Sequence, residues 1–268
     1  DDFYNFIDKN KISKKVSITT HGMIPNLEAR VKKMIENSSN THLHIGVSLD
    51  GLEKTHNDFR KIKNGFQLAI KNLLFFKEFS EKNTKFTFST TTSLIREICT
   101  TKNSDQKIEL LDLLDYLSNK VGVTNMGFDH VRSVENDVFN VPKKILSSFG
   151  LPPKSEETKV QKHTRADDVQ LDINEIKEIN TILKKSGYLS NDYLTMRRLE
   201  IEQEILKNKK RVVDCLAGYV DCVIYPSLDV AICESTKPFA NLKNFNFDLI
   251  NLLKSNQANE TRSLASKC

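Results

Sequence analysis

Short apolar segments alternate with amphipathic helical patterns through the first half of this chain. The apolar segments are rich in β-branched residues and have the length of buried strands. They are Val16–Thr20, Leu43–Leu49, Lys85–Thr91 and Asn125–Val131. Between them, apolar residues recur at intervals of three and four, which predicts helices that bury one face. This alternation is typical of a parallel sheet or barrel, so we predict an α/β fold.

The second half of the chain changes character twice. Residues 134–170 contain three prolines and many charges, which predicts a loop or linker. Asp172 and Glu175 then form a capping-box-like start for a helix that ends at Gly187. The elements predicted beyond it are a helix over Tyr193–Lys207 and a β-hairpin formed by Cys222–Tyr225 and Asp229–Ile232.

The composition argues against several classes of function. With 268 residues, 38% of them hydrophobic, the chain can form one large domain and a small one. The 40 Lys and Arg residues exceed the 35 Asp and Glu residues only slightly and form no dense basic run, so we expect no nucleic-acid partner. No apolar stretch approaches the roughly 20 residues of a membrane span, and the start has no signal-peptide pattern. We expect a cytoplasmic protein without a membrane partner.

Five cysteines are an odd number, which argues for reduced thiols and against a disulfide framework. Cys215, Cys233 and Cys268 lie in the last fifth of the chain, and thiolates bind soft metal ions and iron-sulfur clusters. Three thiolates with one further ligand also suit Zn²⁺, so both kinds of site remain open. Cys222 is either a further ligand or a buried free thiol, and Cys99 is predicted to be structural.

Two predicted strands end in polar residues. Thr20-His21-Gly22 closes the first strand, and Ser48-Leu49-Asp50-Gly51 closes the second. Ligands gather at the carboxyl ends of strands in parallel α/β folds, which predicts a polar small-molecule site there. Ser48 has the chemistry to bind a carboxylate, and Asp50 to accept from a ribose or an amine. The alternative is that both segments are only turns.

Several histidines have candidate roles. His42 and His44 alternate on a strand and form a metal pair only if a third ligand is near, and no carboxylate cluster adjoins them. His56 is expected to order the loop before Arg60. His130 follows the fourth strand and either touches a ligand at the barrel mouth or is structural.

The order of these segments resembles a known family. The segments Thr-Thr-x-Gly at 19–22, Val-Ser-Leu-Asp-Gly at 47–51, Thr55–Arg60 and Gly65-Phe66 resemble the middle of a radical S-adenosylmethionine (SAM) enzyme. The segments Cys215-Leu-Ala-Gly, Tyr225-Pro, Cys233-Glu and Asn241-Leu resemble its SPASM or twitch extension, which holds an auxiliary cluster. The resemblance covers roughly residues 10–131 and 211–268.

The resemblance implies a partial (β/α)6 TIM-like barrel, incomplete at its N-terminus, with a small C-terminal SPASM/twitch-like cysteine domain. In the family, a Cys-x3-Cys-x2-Cys loop binds a [4Fe-4S] cluster that holds SAM, and cleavage of SAM gives a 5′-deoxyadenosyl radical that abstracts hydrogen. Thr20, Ser48 and Asp50 would lie beside SAM, and Arg60 would pair with the SAM carboxylate. The family usually has Asn where His21 stands.

The resemblance also implies the metal ligands, partners and domains. Cys215, Cys233 and Cys268 would bind an auxiliary iron-sulfur cluster. A peptide or small-molecule substrate is expected, with an electron donor such as flavodoxin or ferredoxin. Residues 1–135 would form the partial radical SAM barrel, 136–210 a linker and helical segment, and 211–268 a truncated auxiliary-cluster domain.

Two motifs of the family are missing here, because the sequence contains no Cys-x3-Cys-x2-Cys and no Gly-Gly-Glu. Leu228 also stands where a glycine is usual. We expect a fragment that starts after the second barrel strand, is inactive by itself, and leaves Val16–Thr20 as an edge strand. The sequence favours a radical SAM enzyme; the alternative is a non-catalytic degenerate barrel, a binding module with a Cys-ligated Zn or Fe-S site.

Overall fold

The computed structural model describes residues 2–100, 107–131, 170–189, 193–208, 210–233 and 236–265. These residues form two compact units that divide after residue 200. No helix within the described ranges is both long enough and apolar enough to cross a membrane. The loop predicted at 134–170 lies outside these ranges except for its last residue, and the predicted domain boundaries stay predictions.

The first unit is built on a four-stranded parallel sheet whose strands lie side by side in chain order. The strands are β1 (Lys15–Thr20), β2 (His42–Ser48), β3 (Phe86–Leu94) and β4 (Met126–His130). All four predicted strands are confirmed, and β3 continues past the predicted end at Thr91 to Leu94. Within the described residues, β1 is an edge strand, as predicted.

Helices lie between the strands, as the alternation predicts, and further helices precede β1 and follow β4. They are α1 (Asp2–Lys9), α2 (Leu27–Glu36), α3 (Glu53–Arg60), α4 (Gly65–Lys82), α5 (Arg96–Thr100), α6 (Glu109–Asp115), α7 (Ile173–Lys185) and α8 (Tyr193–Asn208). The predicted capping box is present at the start of α7, where the Asp172 carboxylate accepts from the Glu175 amide and the Glu175 carboxylate accepts from the Asp172 amide. A π-helical turn, Tyr116–Val121, follows α6 and was not foreseen.

One face of the parallel sheet packs against α4. The ring of Phe76 in α4 lies 5.5 Å from the ring of Phe86 and 6.3 Å from the ring of Phe88, both in β3. Gly22, which follows β1, lets its backbone lie close to Val47 and to Ala69 of α4. A Cβ on Gly22 would lie 2.8 Å from Val47 and 3.3 Å from Ala69. The buried apolar strand residues on this face are Leu43, Ile45, Val47, Phe86, Leu94, Met126 and Phe128. Their burial is a main source of stability for the unit.

The second unit contains a three-stranded antiparallel sheet. Its strands β5 (Val223–Ile224), β6 (Asp229–Ala231) and β7 (Ala240–Asn241) lie in that order and confirm the predicted hairpin. A 3-10 turn (Leu242–Phe245) and two helices, α9 (Leu249–Leu253) and α10 (Asn256–Ala265), follow. The small core is formed by Val230, Leu242 and Leu252.

A buried carboxylate joins α1 to the segment before β2. Asp8 is 4% exposed and accepts from the Ser38 hydroxyl at 2.8 Å and from the amides of Ser39, Asn40 and Thr41 at 3.0, 2.8 and 2.7 Å. Burial by itself raises the pKa of Asp8, but the four hydrogen bonds outweigh it and hold the pKa below its ordinary value. The ionised carboxylate therefore stabilises the fold.

We expect Asp8→Ala to lower the free energy of unfolding at pH 7 by about 2–4 kcal/mol, because it leaves several buried donors without an acceptor. The folded-state pKa is lower than the unfolded one, so this stabilisation is complete above about pH 4 and is lost as the pH falls further. Urea unfolding at pH 7 and pH 3 should show a smaller difference between variant and wild type at pH 3. An equal difference at both pH values would contradict the assignment, and Asp58→Ala, at an exposed site, is the control.

Candidate functional site

The second face of the parallel sheet is polar. Side chains along a strand alternate between the two faces, and paired residues on neighbouring strands share a face. The residues on this face are Lys15, Ser17, Thr19, His42, His44, Gly46, Ser48, Thr87, Ser89, Thr91, Ser93, Gly127 and Asp129. Parallel sheets usually carry apolar residues on both faces. The face made by these thirteen residues, called the polar face below, is therefore a candidate ligand surface.

Small residues occupy the polar face near the carboxyl edge of the sheet. Ser48 pairs with Thr91, and Thr91 pairs with Gly127. A Cβ on Gly127 would lie 3.6 Å from the Thr91 hydroxyl, and one on Gly46 would lie 3.6 Å from the Ser89 hydroxyl, so crowding does not enforce either glycine. Glycines at uncrowded strand positions let a ligand approach the backbone closely.

Two histidines form a hydrogen-bonded chain on the polar face. The Thr87 hydroxyl lies 2.8 Å from Nε2 of His42 and 2.9 Å from Nδ1 of His44, whose Nε2 lies 3.0 Å from the Ser89 hydroxyl. Burial, and then the charge of Lys15, lower the pKa of both histidines, which favours neutral rings. Nowhere in the described part of the chain do three His, Cys, Asp or Glu residues cluster as a metal site would require. Neighbouring hydroxyls bond Nε2 of His42 and both ring nitrogens of His44.

A buried ion pair closes the loop after β2. Asp50 is fully buried, and its Oδ2 lies 2.5 Å from both Nε and Nη2 of Arg60. Its Oδ1 accepts from the amide of Ser93 at 2.9 Å. One carboxylate thus ties the end of β2 to α3 and to β3, and it orients the guanidinium of Arg60, whose side chain is 30% exposed.

His56 and Glu109 hold the same loop. Nδ1 of the buried His56 accepts from the amide of Asp50 at 3.1 Å, which confirms that His56 orders the loop. Burial lowers the pKa of His56 and so favours the neutral ring that this bond needs. Glu109 of α6 accepts from the amide of Leu52 at 2.7 Å and from the hydroxyl of Thr55 at 2.8 Å. Glu109 is not among the residues predicted from the sequence, because it lies 57 residues from Leu52 and leaves no local signal.

The structure places Thr20 and Ser48 on opposite faces of the sheet. Thr20 pairs with Val47 and so belongs to the face covered by α4, where its hydroxyl accepts from the amide of Gly22 at 3.1 Å. Ser48 belongs to the polar face. The adjacent Thr19, part of the same Thr-Thr-x-Gly motif but not a predicted SAM contact, shares the face of Ser48. The alternation of Phe86 and Phe88 with Thr87 and Ser89 was the signal that could have identified the polar face, although Thr90 and Thr92 also place hydroxyls on the opposite face.

Two further histidines, His21 and His130, are not among the residues that make up the polar face. His21 follows β1, and its Nδ1 accepts from the amide of Met23 at 3.1 Å, so it orders the turn there. His130 pairs with Leu94 and therefore lies on the face that α4 covers. Of the two roles left open for His130, this position favours the structural one.

The described cysteines are free thiols in different surroundings. Cys99 is buried in α5, and burial raises its pKa, which fits the predicted structural role. Burial also raises the pKa of the half-buried Cys222. Cys215 and Cys233 are half-buried in loops of the second unit. Cys268 lies outside the described residues, so the predicted three-cysteine site stays a prediction.

The segments that carry Cys215 and Cys233 meet in the second unit. Gly218, three residues after Cys215, has a φ of 79°, and a Cβ there would lie 2.7 Å from Cγ2 of Ile232. Ile232 immediately precedes Cys233, whose amide donates to the Thr236 hydroxyl at 3.2 Å. The turn after Cys215 therefore packs against the residue that leads into Cys233.

Comparison with known proteins supports the fold. A solved structure of native anSMEcpe with bound AdoMet is similar to this chain, with a TM-score of 0.54 and 15% sequence identity. The match covers 91% of this chain and 57% of that one, so this chain spans little more than half the length of that protein. No family model and no curated protein matches the sequence. At this identity the likeness establishes an α/β architecture shared with an AdoMet-bound protein.

We expect Asp50→Asn to lower the free energy of unfolding by about 2–4 kcal/mol, because it leaves the Arg60 charge without its buried partner. Partial exposure of Arg60 keeps the loss below that of a fully buried pair. Thermal unfolding measures the effect. Lys54→Ala breaks an exposed pair with Asp58 on the same helix and should leave the melting temperature unchanged. A variant Asp50→Asn that melts like wild type would show that the pair does not hold the loop.

Proposed function

We propose that this chain forms part of the barrel of a radical SAM enzyme of the SPASM/twitch group, with SAM along the carboxyl edge of the polar face. Three observations support this proposal: the order of the sequence motifs, the fold shared with a protein that has AdoMet bound, and the polar face itself. AdoMet is another name for SAM. The polar face is the main support for the proposal. A parallel sheet packed on both sides carries apolar residues on both faces, whereas this one carries polar residues on one face.

The residues at this edge fit the chemistry of SAM. SAM offers an amino group, a carboxylate and ribose hydroxyls, which the half-buried hydroxyls of Ser48 and Thr91 can bind. Arg60 uses Nε and Nη2 for Asp50, so a contact with the SAM carboxylate would use Nη1. In this proposal Asp50 orients Arg60, and Thr20 holds the turn after β1.

In such enzymes, reductive cleavage of SAM at a [4Fe-4S] cluster supplies the radical that abstracts hydrogen. These 268 residues contain no Cys-x3-Cys-x2-Cys, so we assign them the SAM-binding surface and not the ligands of that cluster. A peptide or small-molecule substrate and an electron donor such as flavodoxin or ferredoxin complete the proposal.

An auxiliary iron-sulfur cluster bound by Cys215, Cys233 and Cys268 is the second part of the proposal. Of these three, Cys215 and Cys233 lie within the described residues and are free, half-buried thiols, which suits metal ligands. The contact between Gly218 and Ile232 brings their segments together. Zn²⁺ is the competing metal for three thiolates and would favour a non-catalytic binding module.

We expect saturation-transfer NMR to detect contact between this chain and SAM at millimolar SAM, a method that registers weak binding. Gly127→Leu adds an apolar side chain beside Thr91, the pairing partner of Ser48, and its Cβ meets no backbone clash, so it should reduce the transferred signal at least twofold.

The matched control is Glu78→Leu, which adds the same side chain at an exposed position of α4. It should leave the SAM signal unchanged. No transfer to wild type, or equal transfer to wild type and Gly127→Leu, would contradict a SAM site on the polar face.

We expect the chain, after anaerobic incubation with iron and sulfide, to bind both and to show a sulfur-to-iron charge-transfer absorption band. Cys215→Ser or Cys233→Ser should each remove most of the bound iron, because each takes away a thiolate ligand. Metal analysis by inductively coupled plasma mass spectrometry measures the result.

Cys99→Ala is the control, because this thiol is buried in α5, in the first unit. It should leave the iron content unchanged. A colourless chain without iron would contradict the cluster, and a chain that takes up Zn²⁺ but no iron would favour the binding module.

A further inference from the structure

Arg262 of α10 is a deeply buried cation in the second unit, with an exposed fraction of 8%. Its Nη1 donates to the carbonyl of Gly218 at 2.8 Å. Its Nη2 donates to the carbonyl of Leu253 at 2.7 Å and to Oδ1 of Asn259 at 2.5 Å. The guanidinium carbon lies 4.8 Å from the centre of the Tyr219 ring. A side chain so costly to bury indicates a specific role.

The charge of Arg262 is solvated by neutral groups. The partners just named are carbonyls, an amide and an aromatic ring, and within the described residues Nε has no hydrogen-bond partner. Such groups satisfy hydrogen bonds but supply no opposite charge, so a buried guanidinium favours an anion nearby. Metal-binding cysteines are thiolates and therefore supply such a charge.

Gly218 connects Arg262 to both cysteine segments. A Cβ on Gly218 would lie 3.1 Å from Cγ of Arg262 and 2.7 Å from Ile232. The amide of Gly218 donates to the carbonyl of Asp221 at 3.0 Å, which closes the turn after Cys215. Three residues of chain span at most about 10 Å, so Cys215 lies within that distance of Gly218. Arg262 thus contacts the turn that leads from one predicted ligand, and Gly218 of that turn packs against Ile232, which precedes the other.

We propose that Arg262 positions the turn after Cys215 against the segment of Cys233 and places a positive charge beside the thiolates of the auxiliary site. This inference rests on the proposed auxiliary cluster. It assigns Arg262 two separable effects. The hydrogen bonds to backbone carbonyls set how much cluster the chain holds, and the charge favours the reduced cluster and so raises its reduction potential.

The test compares wild type, Arg262→Lys and Arg262→Gln after anaerobic incubation with iron and sulfide. Arg262→Lys keeps the charge but loses the planar fork, so it should hold at most half the iron of wild type while the remaining cluster keeps a similar potential. Arg262→Gln also loses the charge, so its remaining cluster should have a lower potential. Iron and sulfide analysis measures loading, and an electron paramagnetic resonance titration measures the potential. Lys254→Gln removes an exposed charge from the same unit and should change neither quantity.

Circular dichroism of the iron-free proteins detects whether a variant has unfolded. Two further variants test the role of Arg262 in case its own variants unfold. Gly218→Ala retains Arg262 but forces the turn away from Ile232, and Tyr219→Leu removes only the ring beneath the guanidinium. Both should reduce iron content while the second unit stays folded. Should the Arg262 variants unfold, these two decide the matter, and unchanged iron in both would overturn the role of Arg262.

The two proposals fail in different ways. A wild-type chain without iron would overturn the auxiliary cluster itself. A wild-type chain with iron, together with folded Arg262 variants that match its iron content and potential, would overturn only the role given to Arg262.

Discussion

Burial of one side of the parallel sheet by α4 is the constraint on which the first unit depends. Phe75, Phe76 and Phe79 of α4 form ring contacts among themselves, and Phe76 and Phe79 also contact Phe86 in β3. Each buried aromatic side chain contributes about 2–3 kcal/mol, so this cluster fixes the sheet firmly from one side. The strands do not need apolar residues on the second face, and that face is free to carry hydroxyls, histidines and glycines.

The carboxyl edge of the sheet owes its shape to buried polar contacts. Asp50 links three chain segments through Arg60 and Ser93, and Glu109 fixes the beginning of α3 through Leu52. Buried polar groups such as these are costly to leave without a hydrogen-bond partner. This cost restricts the loop to the conformation in which they are paired. A rigid loop at the end of a strand is what a small-molecule site requires, because it avoids ordering the site when the ligand arrives.

Local patterns predicted much of the fold, and contacts between distant residues account for most of what they missed. The strands and the capping box of α7 follow from neighbouring residues and could therefore be predicted from the sequence. The resemblance implies Thr20 as a SAM contact, but only the register against Val47 reveals which face Thr20 occupies. Leu228 stands where the resembling family has glycine, and its φ of 69° shows that the turn keeps the backbone shape that glycine favours. A leucine in the left-handed backbone region costs about 1–2 kcal/mol. The Leu228 amide donates a hydrogen bond to the Tyr225 carbonyl at 2.8 Å, which preserves the turn.

The position of β1 has a consequence for how the molecule behaves in solution. On its outer side the backbone donors and acceptors of Lys15–Thr20 meet no strand of the described sheet, and Lys15 is the one charged side chain along it. Bare strand edges recruit extended polypeptide, whether from a second copy or from elsewhere in the same protein. At high concentration we therefore expect this edge to favour association by main-chain pairing, which the charge of Lys15 at its start opposes.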